Sequence, residues 1–348
     1  MRKARLWIFL LILLAGAGGG VFFWLDLQAT LNAPLAVGGK PRTIAVVPGS
    51  SIEGIARDLA TAGILPEPWW YLPLEARRTG RHRAIKAGEY EILPGLSALG
   101  LLDKMVRGEV AIHKLTLVEG RTFADALAVL VAHPKLVHTL AGVSPAALPA
   151  EVMARLGHPG EHPEGRIFPD TYRIDTGTTD LDLLQAAYRA MEKTLTAEWA
   201  ERAQGLPYKS PYEALIMASI IEKETAKEEE RPQIAGVFVR RMHKGMRLET
   251  DPTVIYGMGA RYAGKIHRAD LEEQTPYNTY RIPGLPPSPI ALPGRAALHA
   301  ALHPAAGDSL FFVARGDGSH QFSATRAEHE AAVDLYQRHK TPPNPNKK

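Results

Sequence analysis

Residues Leu6 to Leu25 read LWIFLLILLAGAGGGVFFWL, twenty in succession without a charge. As a helix the run is about 30 Å long, the thickness of a bilayer's hydrocarbon core. It predicts a single transmembrane helix over 6–25 behind a cytoplasmic tag 1–5. Arg2, Lys3 and Arg5 precede the run and Asp26 follows it, an asymmetry that keeps the N-terminus in the cytoplasm and puts the rest outside. The alternatives are a signal peptide cut near Ala15-Gly16-Ala17 and a buried core helix. The first fits poorly because the apolar run continues through Val21 to Leu25, past that site, and the second because the flanks are a basic tag and a polar segment.

From Asp26 to Arg42 the chain holds Pro34, Gly38, Gly39 and Pro41, which predicts a linker (26–42) spanning at most about 55 Å, so that the next domain stays near the membrane. That domain (43–110) opens with a strand, Thr43 to Val47, and a turn at Pro48-Gly49. A helix follows, with Ile52, Ile55, Ala56 and Leu59 at helical spacing and Gly63 at its end. A helix around Trp69 to Arg78, a strand Gly88 to Ile92 and a helix Ser97 to Val106 complete a small α+β unit. Its order resembles LysM modules, which bind peptidoglycan glycans; the alternative is a packing domain that only positions its neighbour. The basic cluster Arg77, Arg78, Arg81, Arg83 and Lys86 could meet lipid headgroups or peptide carboxylates, or be a solvated loop.

A larger domain (111–338) starts at the strand Ala111 to Val118, continues in helices from 123 to 204 broken at Pro134, Pro145, Pro159 and Pro163, and ends in a hairpin over Leu310 to Phe322. The fold class is α+β, with a flexible tail 339–348. Seven of the 41 basic residues lie in the N-terminal tag and the C-terminal stretch, leaving 34 against 37 acidic in the body. The formal charge of +4 is thus no sign of nucleic-acid binding. With no cysteine, disulfides, thiolate catalysis and Cys-ligated zinc are excluded.

The candidate chemistry sits in ASIIEKET, Ala218 to Thr225. Ser210-Pro211-Tyr212-Glu213 supplies an N-cap, a proline at the first helical position and a capping-box Glu, so a helix begins at Pro211. At 100° per residue Met217, Ile220 and Ile221 fall within about 60° of Glu224, while Glu222 projects about 160° away. Glu224 is therefore expected on the apolar side and Glu222 in water. Desolvation lifts a carboxyl above its usual pKa of about 4.3 towards neutrality, where a general acid works best. The alternative is a helix-end Glu paired with Lys227 or Arg231.

The run Met217 to Thr225 (MASIIEKET) is followed by Gly245 to Gly259 (GMRLETDPTVIYGMG), Tyr277 to Tyr280 (YNTY), Gly284 to Pro287 (GLPP) and His303-Pro304. Upstream stand Val118 to Gly120 (VEG) and Glu164 to Tyr172 (EGRIFPDTY). In this order the motifs resemble the YceG-like, membrane-anchored endolytic murein transglycosylases. The resemblance covers about residues 43–335 and implies a lyase of the inner membrane whose catalytic domain is periplasmic or extracytoplasmic. It implies endolytic cutting of peptidoglycan glycan strands, with Glu224 as the catalytic residue and association with peptidoglycan synthases. Tyr277, Asn278, Thr279 and Tyr280 resemble the family's active-site loop, with rings and polar groups suited to sugars. Asp251, Glu119, Glu164 and Asp170 also fall in family motifs; an Asx turn before Pro252 and loop stabilisation are the structural alternatives.

The zincin, serine-hydrolase, phosphate-loop and dinucleotide-binding motifs are absent. His299 and His303 could share a helix face as metal ligands, but Pro304 follows, no third ligand is evident, and helix-end packing is the better expectation. Neither metal nor cofactor is expected, nor a nucleic-acid partner. Hydrolytic glycosidases use two carboxyl groups, whereas a lytic transglycosylase needs one, because the C6 hydroxyl of N-acetylmuramic acid attacks C1 within the substrate. Two readings compete with it: a hydrolytic muramidase using Glu224 with Asp251, and a noncatalytic peptidoglycan-binding scaffold.

Overall fold

The computed structural model describes residues 2–175 and 177–338, with side chains from Trp7 onward; the charges of the tag 1–5 and the tail 339–348 lie outside this description. The described chain is α+β, its strands in three two-stranded sheets, and it divides into two compact units. The first runs to His113 and takes in a few residues from Arg173 onward; the second holds the rest.

The first helix, α1 (Arg2–Asn32), has exposed side chains over the described apolar run, and from Trp7 to Asn32 it is long and apolar enough to cross a membrane. It does not stop at the end of that run. Leu27 and Leu31 are 2% and 1% exposed, and Leu35 and Val37 beyond them are buried in the same core. The Leu35 N–H donates to Leu96 O at 2.8 Å and that of Ala36 to Ile64 O at 3.0 Å. The expected linker over 26–42 is thus corrected. Its apolar residues at 27, 31, 35 and 37 gain more from burial, about 1.5–3 kcal/mol for a large side chain, than the glycines and prolines around them gain from solvation.

The first unit then runs β1 (Arg42–Val46), α2 (Ile52–Thr61), α3 (Tyr71–Arg78), β2 (Gly88–Ile92) and α4 (Ala98–Arg107). β1 and β2 pair antiparallel with Ile44 opposite Tyr90. Ser51 caps α2 by accepting from the Gly54 N–H at 3.1 Å, and Ile52, Ile55, Ala56 and Leu59 are buried as their spacing requires. Most of the basic cluster is neutralised internally: Arg77 pairs with Glu53, Arg78 with Glu75 and Arg81 with Asp103, at 2.6–2.7 Å.

Next come β3 (His113–Thr116), α5 (Phe123–Ala132), α6 (Leu148–Arg155), β4 (Thr171–Ile174) and α7 (Asp180–Ala200). After them lie α8 (Pro211–Glu224), α9 (Arg231–His243), α10 (Asp251–Met258), α11 (Arg268–Glu272) and α12 (Arg295–Leu302). The hairpin β5 (Phe311–Ala314) and β6 (His320–Ser323) and the helix α13 (Arg326–Val333) close the described chain. The axis of the larger core is α8, whose residues Ala214 to Ile221 are all buried, with α7, α9, α10 and α12 packed around it. A helix apolar on every side belongs inside a core.

Candidate active site

The α8 N-terminus forms as its residues dictate, with Pro211 first and the Ser210 hydroxyl accepting from the Glu213 N–H at 3.4 Å. The capping box is only half made, because the Glu213 carboxylate accepts from the Lys209 N–H at 2.6 Å instead of the Ser210 N–H. Fourteen residues later Glu224 is the last helical residue, and Thr225 turns extended. This end of α8 opens onto a cleft of about 890 Å³ lined by Glu224, Glu249, Thr250, Asp251, Tyr280 and His320, with Phe311 and Phe312 on one wall.

Burial pushes the Glu224 carboxyl up to about 7. The Thr250 hydroxyl, which donates to Glu224 Oε1, and the nearby His320 oppose that rise, while the negative charge of Asp251 adds to it. At pH 7 this group is divided between acid and carboxylate, as proton transfer in both directions requires.

Thr250 is held for this contact. Its N–H donates to Thr279 Oγ1 at 3.1 Å, and its carbonyl accepts from Thr253 Oγ1 at 2.7 Å. Before it stands Glu249 at φ 53°, a left-handed conformation costly for a residue with a side chain and here fixed by a bond from Arg241 Nη1 at 3.2 Å. The buried Arg241 also donates to the carbonyls of Leu248 and Leu310, joining α9 to the cleft loop and the hairpin.

Glu222 departs from the expectation that it faces water. Its side chain is 6% exposed, accepts from the Gly294 N–H at 3.0 Å and pairs with the equally buried Arg231 at 3.1 Å. Burial raises its pKa too, against the Gly294 and Arg231 contacts. The helix phase separates the directions of the two glutamates, but Gly294 and Arg231 cover the side of α8 that Glu222 occupies.

Asp251 and Tyr280 line the cleft together, the Tyr280 hydroxyl donating to Asp251 Oδ1 at 2.7 Å. Asn278 and Thr279 are 1% and 0% exposed. The Asn278 amide donates to the carbonyls of Asp270, Leu271 and Glu273, and Thr279 supports Thr250, so both build the loop from beneath instead of offering polar groups to a sugar. Tyr277 faces the core, bonded to Ser288 at 2.7 Å. Glu164 is 4% exposed, accepts from the Phe123 N–H and the Tyr256 hydroxyl, and is pushed up to about 7 by burial; it lines neither cleft. Asp170 serves the β3–β4 connection, its carbonyl accepting from the Leu117 N–H. Glu119 lines a second cleft of about 460 Å³, with Arg121, Glu222, Lys223 and Arg231, and Glu224 borders this cleft as well as the first.

The YceG-like family profile matches residues 44–335. The chain belongs to that family. The endolytic murein transglycosylase of Bacillus subtilis (strain 168) is 29% identical over 91% of this chain and 90% of its own length. The protein so named in Streptococcus pneumoniae (serotype 2, strain D39) is 26% identical over 94% of this chain and 63% of its own. The 2.6 Å crystal structure of a yceG-like protein from Listeria monocytogenes matches with a TM-score of 0.54 at 30% identity, over 84% of this chain and 98% of that one.

In this YceG-like chain two further residues at the site carry no sequence signal. His320 lines the cleft from β6, its Nδ1 2.7 Å from Glu230 Oε2, and Glu230 also accepts from the His320 N–H. They are ninety residues apart, in a hairpin and a short turn that no spacing connects. His299 and His303 do have a third potential ligand, Glu198 on α7. Internal partners account for the cluster: His299 Nδ1 is 2.9 Å from Glu198, Arg295 compensates that carboxylate, and both ring nitrogens of His303 lie against backbone carbonyls.

Proposed function

We propose that this chain is a membrane-anchored lytic transglycosylase that cuts the glycan strands of peptidoglycan, with Glu224 as its one acid–base residue. The observation that carries the reading is a carboxyl poised near pH 7 where two clefts meet, in a chain of this family. Glu224 as acid protonates the oxygen linking C1 of N-acetylmuramic acid to N-acetylglucosamine, and the C1–O bond breaks. The carboxylate so formed takes the proton of the C6 hydroxyl as its oxygen closes on C1, leaving a 1,6-anhydro end and the acid restored. No water is consumed. Positioning of the reacting hydroxyl stands in for a second carboxyl group.

Clefts that both border Glu224 leave room for sugars on either side of the broken bond, and cutting within strands rests on the family resemblance. Phe311, Phe312 and Tyr280 offer rings to sugar faces. Asp251 and Tyr280 are the substrate contacts retained from the expected set, with Glu119 in the second cleft. The first unit, with two helices between paired strands, supports a LysM-like glycan-binding role, and α1 supports a single membrane span; the inner membrane and a catalytic unit outside it rest on the flanking charges and the family resemblance. Association with peptidoglycan synthases rests on the family resemblance alone.

Purified glycan strands digested with the protein and analysed by mass spectrometry test the reading. Glu224→Gln should lower cleavage at least about a hundredfold, each cut should leave one new 1,6-anhydro end, one water lighter than a new reducing end would be, and Asp251→Asn should keep substantial activity. Reducing ends together with collapse of Asp251→Asn would identify a two-carboxyl muramidase; no cleavage by the folded wild type would leave only a scaffold.

A further inference from the structure

The anchor helix meets the first unit at the level where the apolar run ends. Phe23 of α1 stacks on Trp70, with ring centroids 6.1 Å apart and planes within 15°, and meets Tyr71 edge-on at 5.5 Å. One residue on, Trp24 lies under the Arg78 guanidinium at 4.7 Å. Two residues further the Asp26 carboxylate accepts from the Tyr71 hydroxyl at 2.7 Å. Trp70, Leu74 and Arg78 are four apart and form one stripe of α3. The ends of that stripe are about 12 Å apart along α3, yet they touch neighbouring residues of α1 separated by about 1.5 Å of rise. α3 therefore meets α1 at one level of that helix, through both ends of the stripe. The contact lies within about 5 Å of Leu25, where the span ends. Facing outward on the stripe are Trp70, 44% exposed, and Leu74, 40% exposed.

We propose that α3 lies in the plane of the bilayer surface, with Trp70 and Leu74 seated at the boundary between headgroups and acyl chains of the membrane that α1 crosses. The inference rests on the anchored reading of α1. Tryptophan is at home at that depth, its ring apolar and its N–H able to reach water, and Trp24 occupies the same level from α1. Arg77, Arg78 and Arg81 are each paired with a carboxylate of this unit, and the contact is carried by the apolar side chains of Trp70 and Leu74. The consequence is that the first unit is held in one orientation on the membrane by two separate contacts, α1 and the face of α3.

The chain has no cysteine, so a single nitroxide can be placed at will in the full-length protein reconstituted in phosphatidylcholine nanodiscs. Leu74→Cys and Phe22→Cys are the two positions, both exposed, so neither label disturbs packing. On reconstitution both labels should lose collisions with an aqueous nickel chelate and gain collisions with oxygen, Leu74 at shallower depth than Phe22. A Leu74 label as open to the chelate as in detergent-free water, with Phe22 shielded, overturns the α3 contact and leaves the anchor standing. If the Phe22 label is also aqueous, the anchored reading fails and the α3 proposal fails with it.

Discussion

Glu222 and Glu224 are both lifted by burial, and their partners and the larger cleft, which Glu224 alone of the two lines, distinguish them. The Glu224 pKa of about 7 has a thermodynamic consequence. In the unfolded chain the group titrates near 4.5, so between pH 4.5 and 7 the folded state holds a proton that the unfolded state has released, and stability falls as pH rises through that window. Glu224→Gln stays neutral and can still accept the Thr250 hydrogen bond. It should be more stable than the wild type at pH 8, by up to about 3 kcal/mol, and equal to it below pH 4.5; paired urea melts at the two pH values read the difference. Glu222→Gln should do the reverse, keeping turnover while losing on the order of 3 kcal/mol because it strips the buried Arg231 of its buried countercharge and leaves it only the exposed Glu228. A dead but fully stable Glu222→Gln would show that this residue belongs to the chemistry.

The elements around the cleft are joined by backbone contacts closer than helix propensity would favour. Gly236 lies inside α9, where alanine would by itself strengthen the helix by about 1 kcal/mol. A Cβ there would meet the carbonyl oxygen of Ala305 at 2.5 Å and Arg240 Nη1 at 2.8 Å. That carbonyl is fixed, since the Ala305 N–H donates to Pro232 O at 2.8 Å and Arg240 bonds to both Ala305 and Ser309. Gly236→Ala should accordingly lower the melting temperature, by an amount corresponding to about 1–3 kcal/mol, despite the better propensity; a stabilised variant would mean that the segment after α12 yields. The same stitching sets the hairpin that brings His320 to the cleft.

At the scale of the molecule, the first unit does not begin where the apolar run ends. Leu27, Leu31 and Leu35 fill its core from α1 and the segment after it. A truncation beginning at Asp26 should fold and retain the first unit's cooperative unfolding. One beginning at Arg42, the natural choice if 26–42 were an open tether, removes three buried leucines at roughly 2–5 kcal/mol each and should leave that unit unfolded or prone to aggregate. Urea titration of the two truncations, followed by tryptophan fluorescence, distinguishes them. Equal stability would mean that the leucines pack without contributing.

Local signals settled a good deal without the fold. A charge-free run of twenty residues, the Ser210-Pro211 start of α8, the buried spacing of α2 and the β5–β6 hairpin each depend on neighbours in sequence, so periodicity and capping chemistry reveal them. Helix phase was legible in the same way, and it separated the directions of Glu222 and Glu224. Burial of Glu222 was not, because it depends on Gly294 and Arg231, brought in by other elements. Nor was the loop chemistry: Asn278 and Thr279 carry the residue types of a sugar site, yet three carbonyls and Thr250 claim them first. His320 with Glu230, and the rings of α3 against the end of α1, are meetings of segments distant in sequence. A carboxyl's pKa, the depth of a helix at a membrane and the partner of a buried arginine are set by what surrounds them in space, and only the tertiary structure supplies those surroundings.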